Sequence, residues 1–106
     1  MSIAFTTDPS FEEDVLNAPV ITLVMFRTSW SNPCKVVEPV LEDIRTQYGN
    51  QLGVFKLDVD DNQATPAKFN VRGLPAFLLF RDGAVESEKT GPQSKSQLMA
   101  WIDSHL

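Results

Sequence analysis

The 106 residues are enough for one domain and too few for two, and at 42% hydrophobic and 22% charged they describe a folded chain rather than a disordered one. One cysteine, Cys34, excludes a disulfide closed within the chain, and one histidine, His105, speaks against Cys/His zinc clusters and an internal Ser-His-Asp triad. Nine Lys and Arg against fourteen Asp and Glu leave a formal charge of −5, which argues against nucleic acid or an anionic membrane as the main partner. The N-terminal residues lack the basic start and apolar core of a secretory signal, and the longest apolar stretch, Val20 to Phe26, is too short to span a bilayer. A single domain over residues 1–106, cytoplasmic and monomeric, is therefore expected.

In chain order, Ser10-Phe11-Glu12-Glu13 reads as a capping box, followed by Phe11, Val15 and Leu16 on one side of a short helix that ends near Asn17 and Pro19. Val20 to Phe26 is a nearly continuous apolar run that suits a strand buried on both faces. Val36, Val37, Val40, Leu41, Ile44 and Tyr48 then follow helical spacing up to Gly49, with Pro39 placed to kink the helix. A second strand runs from Val54 to Val59, and Thr65-Pro66 reads as the cap and first turn of a short helix reaching Phe69. Ala76 to Phe80 forms a third strand, and Asp82-Gly83 signals a tight hairpin into Val85 to Lys89. Ser94 to Gln97 caps a last helix with Leu98, Trp101 and Ile102 on its inner face. Alternating strands and helices of this kind predict a small α/β domain with a mixed central sheet and helices on both faces.

The chemistry concentrates in Trp30-Ser31-Asn32-Pro33-Cys34-Lys35, where a strand hands over to a helix. Backbone N–H groups and the positive end of the helix dipole gather there, and Lys35 adds a charge, so Cys34 is a candidate for a lowered pKa. The competing reading makes Cys34 a small buried hydrophobe. Ser31 precedes Pro33 as an N-cap serine would, and as a nucleophile it has no base near it in sequence.

Trp30 to Lys35 resembles the thioredoxin motif W-C-G-P-C-K with its first cysteine replaced by serine. The resemblance continues through Pro39, Lys56-Leu57-Asp58-Val59-Asp60, Val71-Arg72-Gly73-Leu74-Pro75, Phe80-Arg81-Asp82-Gly83 and Gly91, over essentially the whole chain. It implies the thioredoxin fold, a central mixed five-stranded sheet flanked by four helices, with Pro75 cis beside the motif. It also implies a shallow groove at Trp30, Asn32, Pro33, Gly73, Leu74, Pro75 and Gly91, where an extended client segment pairs with the backbone before the cis-proline. Lys56 resembles a lysine that modulates the family's site, although a strand lysine is more often solvated. The acidic run Asp58, Asp60, Asp61 lacks metal-loop spacing and reads as a solvated loop.

The departures bear on activity. Thiol–disulfide exchange needs an attacking thiolate and a second thiol to resolve the mixed disulfide. The family's attacking position holds Ser31, and only the resolver, Cys34, is present. Six residues before Ser31, where the family keeps a buried aspartate, stands Met25, and Arg27 replaces a frequent aromatic. Three departures together favour natural loss of the dithiol cycle over a deliberate Cys→Ser change in an active relative. They also differ from monothiol glutaredoxins, which keep the first cysteine, so neither an iron–sulfur cluster nor another cofactor or metal is expected. Two functional readings follow: a client-binding protein without normal cycling, and a residual monothiol redox protein whose Cys34 forms mixed disulfides with clients or glutathione.

Overall fold

The computed structural model describes residues 3–106. Its strands are β1 (Ala4–Phe5), β2 (Thr22–Arg27), β3 (Gly53–Asp58), β4 (Ala76–Arg81) and β5 (Ala84–Thr90). They form one sheet in the order β1-β3-β2-β4-β5, with β3 parallel to β1 and β2, and with β4 antiparallel to β2 and β5. A wide helical turn at Glu12–Leu16, α1 (Asn32–Tyr48), α2 (Ala64–Lys68) and α3 (Lys95–Asp103) complete the mixed five-stranded, four-helix architecture. Among the described residues, no helix is long and apolar enough to cross a membrane.

The central strand β2 is buried along its whole length, and its period of two divides the core. Leu23 and Met25 face α1 and α3, where they join Val37, Leu41, Ile44 and Leu98. Val24 and Phe26 face the opposite side, with Phe11, Val15 and Phe80. Each such fully buried side chain contributes about 1.5–3 kcal/mol. The outer strand β5 pairs within the sheet with β4 alone and is largely exposed.

Several local signals form as the sequence suggests. Ser94 and Gln97 make a reciprocal capping box at α3. Asp82 and Gly83 both take positive φ, at 52° and 83°, in the β4–β5 turn. Other signals do not. The Ser10 hydroxyl is engaged upstream, accepting the Thr7 N–H at 3.0 Å, so no capping box opens the first helical turn. Thr65 is buried inside α2 rather than capping it. The cap comes instead from Asp8, whose carboxylate accepts the N–H groups of Ala64 and Thr65 at 3.1 and 2.9 Å. Burial opposes the charge on Asp8, but the Thr65 side chain and these two N–H groups outweigh it and hold the carboxyl below its ordinary value. Val36 is exposed, because α1 turns that position away from the sheet. Strand β1 is so short that no periodicity marks it.

Candidate functional site

Register builds the site. Phe26 at the end of β2 pairs with Ala76 at the start of β4, so the loop leaving β2 lies beside the turn that enters β4. Ala76 also pairs with Thr90, which brings Gly91 to the same end of the sheet. The motif, the Gly73–Pro75 turn and Gly91 thus converge from three distant stretches of chain.

Ser31 is the N-cap of α1, with extended backbone angles, and its Oγ accepts the Cys34 N–H at 3.4 Å. Trp30 before it is 74% exposed, and Asn32, Pro33 and Lys35 are exposed as well. Cys34 points the other way. It is a free thiol with 0% exposure, in the same buried cluster as Met25 and Val37. Met25, itself fully buried, places a thioether where a carboxylate would be needed to take a proton.

The Leu74–Pro75 peptide is cis, and Pro75 is buried. The Pro75 carbonyl accepts the Gly91 N–H at 2.8 Å, and Gly91 has φ of 91°, a conformation that favours glycine. Gly73 is required for a different reason. A Cβ there would lie 2.7 Å from the Thr90 Cγ2, so close approach of the turn to β5, not an unusual φ, demands glycine.

Lys56 is neither free nor simply solvated. Its Nζ pairs with the Glu38 carboxylate at 2.9 Å and lies 4.5 Å from the centre of the Phe5 ring. The other Glu38 oxygen receives Arg27 at 3.0 Å, and Arg27 also pairs with Asp58 at 3.3 Å. Arg27 is only 8% exposed, and its Nε has no hydrogen-bond partner among the described residues. The acidic run is likewise partly engaged: Asp58 holds Arg27, and Asp60 accepts the Thr28 hydroxyl at 2.7 Å. Sequence reasoning noted Arg27 and Lys56 singly and missed Glu38. The available signal was a charged residue ending a nearly continuous apolar run, with a carboxylate one helical turn beyond Cys34.

Cavities of about 600 Å³, beside Ala4, Arg45 and Phe55, and about 510 Å³, beside Phe5, Pro9 and Asn62, lie away from the motif and the cis-proline turn. Among the described residues, no group of three His, Cys, Asp or Glu side chains is placed to hold a metal ion. The arrangement therefore offers an exposed aromatic, a backbone turn and a buried thiol, but no exposed nucleophile with a base.

Comparison with known proteins agrees with this geometry. The thioredoxin family model matches residues 2–104. The chain is 47% identical to a thioredoxin of Pseudomonas aeruginosa over 104 residues, covering 98% of this chain and 96% of that protein. It is 43% identical to a thioredoxin of Acidithiobacillus ferridurans (99% and 97% covered) and 42% identical to one of Allochromatium vinosum (98% and 97%). In fold, in the order of its motifs and in overall similarity, the chain belongs to the thioredoxin family, with a single cysteine in its altered motif.

Proposed function

We propose that this protein binds partner proteins as extended segments in the groove formed by Trp30, Asn32, Pro33, Gly73, Leu74, Pro75 and Gly91, without dithiol–disulfide cycling. The observation that carries the reading is the pairing of Ser31 at the attacking position with a wholly buried Cys34. A serine hydroxyl is hardly ionised at neutral pH and does not replace a thiolate. Strand-like pairing at the backbone of Leu74 needs no thiol, and the exposed Trp30 supplies an apolar contact beside it. A lone reduced thiol suits the cytosol, where the protein acts as a monomer.

The test is capture of partners under non-reducing conditions by the protein, by Cys34→Ser and by Trp30→Ala. Partners kept by Cys34→Ser and lost by Trp30→Ala support groove binding. Partners lost only by Cys34→Ser overturn it in favour of mixed disulfides, with clients or glutathione. Reduction of insulin by the unaltered protein at the rate of a two-cysteine family member would also overturn it.

A further inference from the structure

Glu38 is the one carboxylate of α1 that reaches both neighbouring strands. Its two oxygens meet Arg27 on β2 and Lys56 on β3, at 3.0 and 2.9 Å. Lys56 is the register partner of Met25, and Asp58, which completes the network, is the partner of Arg27. Four side chains from three elements are thereby joined on the sheet face that also covers Cys34. Glu38 lies one helical turn after Cys34, on the same side of the helix.

The stretch of α1 that carries Cys34 has weak support of its own. Pro39 has no N–H, so the Lys35 carbonyl loses its bond within the helix. The N-cap bond from Ser31 is long, at 3.4 Å. Beyond Pro39 the helix is held by Leu41 and Ile44 in the core and by Tyr48, whose hydroxyl lies 2.6 Å from Asp103 on α3. Before Pro39, the buried contacts are Cys34 and Val37, and the ion pairs of Glu38 add to them. Among the described residues, removing the carboxylate would leave Arg27, 8% exposed and already lacking a partner at Nε, with Asp58 as its sole counter-charge, which strongly disfavours the closed arrangement.

We propose that Glu38 is a positioning residue: through Arg27 and Lys56 it latches the first two turns of α1 onto β2 and β3, and this latch keeps Cys34 closed to solvent reagents. The inference rests on the reading above, in which the resting protein does not present its thiol, and it names what enforces that state. Opening is local, hinged near Pro39, and leaves the rest of the core in place.

The experiment measures the rate at which iodoacetamide alkylates Cys34 in the full chain as a function of low denaturant concentration, alongside equilibrium unfolding. In Glu38→Gln, alkylation without denaturant is expected to be roughly tenfold faster or more, and nearly independent of denaturant, as for a local opening that exposes little surface. Asp103→Asn, which loosens the far end of α1, should leave that native-state rate unchanged. A Glu38→Gln rate equal to that of the unaltered protein overturns the proposal. So does a rate that follows global unfolding, with its full denaturant dependence. Should Glu38→Gln fail to fold, the unaltered protein is compared at low and high NaCl. Faster alkylation at high salt supports the latch, because the Lys56–Glu38 pair is partly exposed and open to screening, and an unchanged rate overturns it. Client capture by Cys34→Ser is independent of these rates, so the latch and the binding reading fail separately.

Discussion

The Ser31 hydroxyl accepts the backbone N–H of Cys34, so the two positions that elsewhere in the family form a disulfide are joined here by a helix cap. Ser31→Ala is expected to lower stability by about 0.5–2 kcal/mol, toward the small end because the bond is long. Ser31→Cys supplies an attacking thiol and should give measurable insulin reduction. The rate should stay below that of a two-cysteine relative, since Met25 takes no proton from Cys34. A turbidity assay of insulin reduction decides; full family-like rates would show that the residue at position 25 is immaterial.

Gly73 and Thr90 are coupled by contact. A methyl group at Gly73 would meet Thr90 Cγ2 at 2.7 Å, and the β-branched Thr90 has little freedom to withdraw. Gly73→Ala should cost about 1–3 kcal/mol and weaken client capture as the turn before Pro75 shifts. Thr90→Ser removes the offending methyl and should restore most of both. A double-mutant cycle by denaturant unfolding reads the coupling directly, and strict additivity would refute it.

Asp8 joins the chain's beginning to α2 across more than fifty residues. Asp8→Ala should destabilise by about 0.5–2 kcal/mol, as loss of a cap does, whereas Asp8→Asn keeps an acceptor and should cost less. Because the folded protein holds this carboxyl below its ordinary value of 3.8, the stabilisation is complete above that pH. It fades as pH falls through the still lower folded value, so the deficit of Asp8→Ala should shrink in strong acid. Unfolding midpoints in an acid series test this.

Tyr48 ties α1 to α3 through Asp103, and its hydroxyl also lies 3.2 Å from the Met99 carbonyl. Burial, the hydrogen bond to Asp103 and its negative charge together push the phenol up to about 12 from its ordinary 10. The protonated form is the one the fold favours, so its contribution is intact below pH 10 and is lost as pH rises toward 12. Tyr48→Phe should be less stable by about 1 kcal/mol at neutral pH, and the gap should close over that alkaline window. A constant gap would assign the loss to packing alone.

Long apolar runs and strong turn residues were legible without coordinates. The strand at Val20 to Phe26 needed only its unbroken apolar character, and the α3 cap only Ser94 and Gln97 three positions apart. Signals that depend on distant partners were not. Whether Ser10 or Thr65 caps a helix turns on Thr7 and Asp8, which compete for the same N–H and hydroxyl groups. Glu38 carries no local signal, because its two cations sit on β2 and β3, distant in sequence. At the site, the motif and the cis-proline turn could be placed by resemblance, whereas the depth of Cys34 and the close contact at Gly73 are matters of packing.

The exposed strand β5 sets a boundary on self-association. Its free margin offers unpaired peptide groups to any neighbouring chain, yet Glu86, Glu88 and Lys89 along it would have to be desolvated against a second copy. Backbone pairing is thereby discouraged along this rim of the sheet. The longer free edge, by which the chain could aggregate with itself, is thus guarded by its own charged side chains.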